Sequence, residues 1–355
     1  MPINFIAQGT PPRDNPQGTL KMAHEIETTD NYGETRTNGK RAWHKLGIEI
    51  PENLTARDGF QRIGLDWSTS LAPLTATLAD GSEIPVPGKA VQVRDDTNGI
   101  LGVVSSEYPS VENLDLADFA DSLVAEGLVL ETAGSLRDGK TVFALCKLKE
   151  TIVAGKDDAV SLYTLLSNGH GGTGAFAIYP TSVRVVCANT LRWSEKDAAK
   201  GLSFIHFGKT STDDRLKTAR TALGLMKTET DKFRTQVDAM VASKLTAKAA
   251  KDLFLAVYET TFGKIPQDVD SKTQKRLEDR RSLVLEAWET NFQNERNNLK
   301  GIEGSAWSAF NAVTEYHDHE RGVATASDDQ RMNSNLFGAS HVDKRKALRT
   351  VLATV

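Results

Sequence analysis

The sequence is poor in cysteine: only Cys146 and Cys187 occur among its 355 residues. Two cysteines cannot form the multiple-disulfide framework that holds small secreted domains together. A zinc site would need more Cys or His ligands beside them. Each cysteine lies in an apolar run, which predicts a small buried side chain. We therefore predict no metal at these positions, and the composition fits a reducing compartment.

Long hydrophobic runs are also missing, since no stretch approaches the roughly 18 apolar residues of a membrane span. The N-terminal residues lack the basic segment followed by an apolar segment that marks a secretory signal. We expect no membrane partner and a location in the host cell cytoplasm. Hydrophobic residues make up 39% of the chain and charged residues 25%, which is enough for a sizeable core.

The chain has no excess of positive charge, because its formal net charge is -4 and its pI is about 6.0. A DNA-binding coat over the whole surface is disfavoured by this balance, whereas a local basic groove is compatible with it. Familiar catalytic motifs are absent as well: no Gly-x-Ser-x-Gly, His-Glu-x-x-His or Cys-x-x-Cys occurs. We predict no catalytic residue, no cofactor and no enzymatic activity.

Turn residues and hydrophobic periodicity divide the chain into four parts. Residues 1–40 are rich in Gly, Pro, Thr and Asn and predict a flexible arm. Residues 41–208 predict an α+β core domain, 209–325 a helical region, and 326–355 a loop with a basic tail. The expected fold is an antiparallel β-sheet with helices on one face, followed by a helical C-terminal region.

Individual elements follow from local patterns. Asn98-Gly99 between two apolar stretches predicts a β-hairpin over 90–105, and helices are predicted over 55–65 and from Asn113. Four later strands are expected, over 128–136, 142–148, 161–167 and 175–186. Asn189-Thr190 is typical of a helix N-cap. Residues 328–340 are polar and predict a loop, and 341–355 predict a short basic helix or tail.

A glycine-rich segment, 167–174, joins two of these strands. Successive backbone N–H groups in such a loop can hold a phosphate. It is not a P-loop, because no Gly-Lys-Ser/Thr and no helix follow it. Three interpretations stay open: a wide hairpin loop, which we favour, a contact with a phosphate backbone that includes His170, and catalysis by His170.

The segment 171–227 concentrates positive charge, with nine Lys and Arg against four acids, and aromatic residues are interspersed. Basic groups for phosphates and aromatic rings for stacking are what a sequence-tolerant single-strand binder needs. Arg184 is expected to project beside the glycine-rich loop. The alternative is a core of aromatic residues under a solvated charged face. The candidate nucleic-acid-binding residues are Arg184, Arg192, Lys196, Lys200, Tyr179, Trp193 and His170.

Four ionisable residues, Glu315, His317, Asp318 and His319, lie together near the end of a predicted helix. At 3.6 residues per turn His317 and His319 point in different directions, whereas Glu315 and His319 have the i, i+4 spacing of helical metal ligands. No third ligand is evident nearby in sequence. The favoured interpretation is therefore a packed helix end, and a metal-dependent hydrolase is kept as a minor alternative.

Several segments together resemble the phage/plasmid-like protein family, which is built on a domain of unknown function found in phages, plasmids and integrated elements. The matching segments are residues 42–47, 165–168 with the glycine-rich loop, 183–191, and Trp307 with 311–316. The resemblance implies a mobile element, and such elements often encode recombination or anti-restriction functions. The order of elements is also loosely similar to the core of single-strand annealing recombinases.

These observations lead to one main hypothesis. The protein binds single-stranded DNA and promotes strand annealing, as a homo-oligomer of many copies. The alternative is a host-interaction or anti-defence protein that works by binding a host protein partner.

Overall fold

The computed structural model describes residues 32–37, 40–41, 48–51, 54–172, 174, 176–184, 190–192, 203–204 and 212–355. Cys187 and most of the predicted N-terminal arm lie outside these residues. Over 32–37 the arm prediction is wrong, because Tyr32–Thr37 forms a strand that pairs with two other strands. The segment Tyr-Gly-Glu-Thr-Arg-Thr is mostly polar, so hydrophobic periodicity gave no signal for this strand.

The strands described are β1 (Tyr32–Thr37), β2 (Lys40–Arg41), β3 (Ile48–Ile50), β4 (Thr69–Thr77), β5 (Glu83–Arg94), β6 (Ile100–Ser105), β7 (Val129–Leu136), β8 (Thr141–Ala154), β9 (Asp158–Gly169), β10 (Phe176–Arg184), β11 (Thr190–Arg192) and β12 (Ser203–Phe204). The helices described are α1 (Ala56–Arg62), α2 (Asn113–Ala125), α3 (Thr212–Ala242), α4 (Ala247–Phe262), α5 (Ser271–Gln293), α6 (Ala306–Glu315), α7 (Asp328–Leu336) and α8 (Ala339–Leu352). A 3-10 turn (Glu295–Asn297) precedes α6, and a π-helical segment (Tyr316–Glu320), called the π-turn below, follows it.

A nine-stranded sheet carries the main framework, in the order β11-β10-β9-β8-β7-β1-β2, with β12 also on β10 and β3 also on β1. Its pairings are antiparallel except the one between β1 and β3. A separate antiparallel sheet consists of β4, β5 and β6. The predicted α+β class with antiparallel strands and a helical C-terminal region is confirmed.

Side chains of β8 alternate between two hydrophobic clusters, as the period of two requires. Val142, Ala144 and Cys146 pack with α1, α2 and α3 on the first face of the sheet. Phe143 and Leu145 point to the second face, where Leu336 at the end of α7 covers them. Helix α7 therefore adds cover on the face that we had expected to be free of helices.

A second core joins the distal halves of β8 and β9 to the C-terminal helices. Ile152, Val160 and Leu162 of the sheet share one cluster with Phe254, Trp288 and other residues of the helices. Trp307 Nε1 also donates a hydrogen bond to Asp158 Oδ2 at 2.7 Å, although the Asp158 carboxylate is fully buried. The predicted boundary at 208 between the α+β core domain and the helical region is crossed by this core, which contains residues from both sides of it.

The hairpin prediction over 90–105 is confirmed, with Asn98 in the left-handed region at a φ of 57°. Strand β5 begins earlier than expected, at Glu83, and β4 was not predicted at all. Pro73 in β4 and Pro85, Pro87 and Gly88 in the early part of β5 argue against strands when the sequence is read alone, and both regions are only partly buried or exposed.

Two predictions in the C-terminal half are wrong. Thr190 lies in strand β11 rather than at the start of a helix. The polar stretch 328–340 contains α7, which begins with a capping box formed by Ser327 and Gln330. Of the helix or tail predicted over 341–355, the structure shows the helix, α8, whose Ala347, Leu348 and Val351 pack in the second core. No helix in the described part of the chain has the length and apolar character needed to cross a membrane.

Candidate functional site

The glycine-rich loop is docked against the smaller sheet. Gly171 N–H donates to the side-chain Oε1 of Gln92 on β5 at 2.6 Å. Gly171 has a φ of +64°, and a Cβ on it would collide with the backbone of Leu101 on β6. Only glycine combines this conformation with so close an approach. The loop is thus a joint between the two sheets, and the Gly171 N–H group is already used within the protein.

His170 lies inside this joint with 1% of its surface exposed. Asn113 donates its amide to the carbonyl of Trp67, so its Oδ1 accepts from His170 Nε2 at 2.8 Å. Burial, and to a smaller extent the charge of Arg94, lowers the pKa of His170 to about 4. The imidazole is therefore neutral near pH 7. Its ring has no surface for a phosphate or a substrate, so the prediction of His170 as a nucleic-acid contact is wrong.

Two predicted basic residues lie on neighbouring strands at the edge of the main sheet. Arg184 ends β10 opposite Val160, and Arg192 lies on β11 opposite Thr181. The expectation that Arg184 stands beside the glycine-rich loop is wrong. The loop leads into the other end of β10, and eight residues of strand separate the two ends by roughly 26 Å.

The remaining predicted contacts differ in what the structure says of them. Tyr179 on β10 is half-buried and packs against the cluster on the second face of the sheet, so only part of its ring is open to a base. Trp193, Lys196 and Lys200 lie outside the described residues.

Helix α3 adds basic side chains beside this sheet edge. Its Ala219, Ala222 and Met226 pack in the first core together with Phe176 and Ile178 of β10. The exposed positions of the same helix include Lys217, Arg220 and Lys227. Arg220 pairs with Glu126 at 2.8 Å and is still largely exposed. The part of the 171–227 segment that the structure describes therefore has basic residues on the edge strands and on the helix that packs against β10, distributed along the strand rather than gathered at one end.

The acidic and histidine cluster at the end of α6 is also placed. Glu315 is buried and accepts from Asn297 Nδ2 at 2.7 Å and from Arg296 at 2.5 Å. His317 is buried, whereas His319 is exposed. Within the described residues, no three His, Cys, Asp or Glu side chains come together as a metal site would require. Glu315 and His319 therefore have no third ligand in this part of the chain.

The segment 316–320 forms a π-turn and not the α-helix assumed from the sequence. Such turns occur frequently at functional sites. Here the π-turn places Asp318 Oδ1 2.6 Å from Nζ of Lys344, which is fully buried. Burial lowers the pKa of Lys344, and Asp318 opposes that shift. The sequence predicts a short basic helix or tail around Lys344, but it gives no sign that the Lys344 side chain is buried against Asp318.

Comparison with known proteins finds no match among curated proteins and none among solved structures. A family model described as Domain of unknown function (DUF932) matches residues 100–337. The match includes the glycine-rich loop, the edge strands β10 and β11, and the π-turn. Because the matched range is more than half of the chain, the protein belongs to this family of the domain of unknown function DUF932.

Proposed function

We propose that this protein binds single-stranded DNA and promotes strand annealing, as a homo-oligomer in the host cytoplasm and without catalysis. We also propose that a phage, plasmid or integrated element encodes it, on the resemblance described above. The observation that carries the binding proposal is the concentration of basic residues along the edge of the main sheet formed by β10 and β11. Arg184 and Arg192 lie on these adjacent strands. Lys217 and Lys227 are exposed on α3, which packs against Phe176 and Ile178 nearer the other end of β10.

This arrangement supports binding to the DNA backbone in particular. Exposed cations such as Lys217 and Lys227 neutralise phosphates irrespective of base sequence. The acidic total charge limits such binding to a local surface, which fits one DNA strand better than a coat around a duplex. Tyr179 on β10 is partly exposed on the face of the sheet opposite to α3, where part of its ring can stack on a base.

Replacing both Lys217 and Lys227 by glutamine is expected to weaken single-strand binding and its dependence on salt. Two lost phosphate contacts reduce the slope of log K against log salt by about 1.4 for a single strand. Fluorescence anisotropy with labelled single-stranded and duplex oligonucleotides over a salt series measures this slope. A strand-annealing assay and light scattering on the same preparation test annealing and oligomer formation.

The matched control replaces Lys248 and Lys272, which are exposed on α4 and α5, by glutamine. It removes the same charge and should leave the slope unchanged. Equal losses in the two double variants would show that no local groove exists. No binding by the unaltered protein even at low salt would overturn the proposal, and would favour the alternative of a host-interaction or anti-defence protein with the long, mostly exposed helix α5 as its docking surface.

A further inference from the structure

A cluster of aromatic and cationic side chains surrounds the π-turn, at the C-terminal end of α4 and the middle of α5. The guanidinium carbon of Arg280 lies 5.5 Å from the centre of the Phe262 ring, and that of Arg321 lies 5.3 Å from it. The His317 ring is nearly parallel to the Phe262 ring, with centroids 6.2 Å apart. Arg280, 18 residues from Phe262, and Arg321, 59 residues from it, therefore both approach this half-buried ring.

The two arginines are in different states. Arg321 is fixed, because one guanidinium nitrogen lies 2.6 Å from Asp343 Oδ2 and 3.1 Å from His317 Nδ1. Arg280 is exposed, and its contact among the described residues is the one with the Phe262 ring. A guanidinium has five N–H donors and no acceptor, so most of the Arg280 donors remain available.

Two further donors belong to the cluster. Because Arg321 donates to Nδ1 of His317, the proton of this neutral imidazole is on Nε2. Nε2 is buried and has no hydrogen-bond partner among the described residues. Tyr316 on the π-turn is half-buried. Desolvation raises the pKa of Tyr316, and the charges of Arg321 and Arg280 oppose this shift.

We infer that this cluster binds a phosphate group, with Arg280 and Arg321 as its cationic contacts and Tyr316 as a hydrogen-bond donor. Guanidinium groups match phosphate oxygens bidentately, and an uncommitted arginine beside a fixed one suits an anion with several acceptors. The two acidic side chains in the cluster each already have a partner within the protein, so neither one pairs with Arg280. Asp343 is paired with Arg321, and Glu320 accepts from Asn291 Nδ2 at 2.5 Å. The phosphate belongs either to free phosphate or to a nucleotide.

Isothermal titration calorimetry at low ionic strength tests this site with two probes, inorganic phosphate and deoxyadenosine monophosphate. Saturable binding is expected, and Arg280→Gln should weaken it about tenfold, as the loss of a charge-assisted contact requires. Arg276→Gln is the matched control, since Arg276 is exposed one turn earlier on the same helix. This control should change the affinity less than twofold.

Tighter binding of the nucleotide than of inorganic phosphate would support the site and assign it a nucleotide, whereas equal affinities would support it and assign free phosphate. The inference does not rest on the DNA proposal: the variant with Lys217 and Lys227 replaced should bind both probes normally. No saturable heat with either probe would overturn the inference. Equal weakening by Arg276→Gln and Arg280→Gln would overturn it too, because it would reveal a general effect of charge.

Discussion

Replacing Lys344 by methionine is expected to lower the free energy of unfolding by about 3–5 kcal/mol, because the buried carboxylate of Asp318 then loses its cation. The ammonium of Lys344 lies 2.6 Å from that carboxylate and has no exposed surface. The variant would therefore unfold at a distinctly lower urea concentration, which circular dichroism at 222 nm would follow.

The double variant Lys344→Met with Asp318→Leu separates the ion pair from general packing. Removing both charges together should restore more than half of the lost stability, since no unpaired charge remains. Lys346→Met is the control on the same helix, because Lys346 is half-buried and donates to the carbonyl of Thr261 at 3.3 Å. A double variant as unstable as the single one would show that the buried pair does not account for the loss.

The protein is expected to lose stability as the pH falls from 6.5 towards 4, and His170 should contribute about 3 kcal/mol of that loss. The pKa of His170 is lowered to about 4 in the folded protein. An unfolded chain with an ordinary histidine pKa near 6.5 binds a proton that the folded protein does not. The contribution is therefore complete above pH 6.5 and is lost gradually down to about pH 4.

His170→Gln isolates this contribution, because an amide can keep a hydrogen bond to Asn113 but cannot take up a proton. Denaturant unfolding of both proteins between pH 4 and 7 gives two curves, and the free energy of unfolding of the His170 protein should fall by about 3 kcal/mol more than that of the variant. The pKa of His317 is also lowered well below its ordinary value, mainly by burial. Because His317 is present in both proteins, its contribution to the pH dependence cancels when the two curves are compared. Parallel curves would contradict the assignment of His170 as a buried neutral group.

Elements with local signals were predicted correctly from the sequence. Asn98-Gly99 fixes a hairpin because the left-handed conformation at Asn98 suits few other residues. Helix α2 follows from the spacing of Leu116, Phe119, Ala120 and Leu123, all of which are buried. In both cases the deciding contacts lie within one turn or one hairpin.

Elements that depend on distant partners were missed. Thr190 has the chemistry of a helix cap, but β10 supplies a strand for it to pair with. Lys344 reads as a solvated lysine until Asp318, 26 residues away, is known to face it. Strand β1 joins the sheet through backbone groups, which carry no sequence signature.

The candidate sites show the same division. Periodicity and charge counting located the basic segment 171–227 but not its geometry. The role of His170 depended on Asn113, 57 positions earlier, so sequence alone left three interpretations open. Arg280 and Arg321 were not singled out, because nothing in the sequence indicates that both approach the ring of Phe262.

The second core has a consequence for how the chain folds during its synthesis. Asp158 and its apolar neighbours Ile152 and Val160 leave the ribosome early. Their partner Trp307 is not synthesised until another 149 residues have been added. At about 5–20 residues per second, that interval lasts roughly 7–30 s. During this interval the distal ends of β8 and β9 are exposed to solvent, including the apolar side chains of Ile152 and Val160 and the carboxylate of Asp158. A nascent chain stalled before α6 would be prone to aggregate and would be a natural client of chaperones.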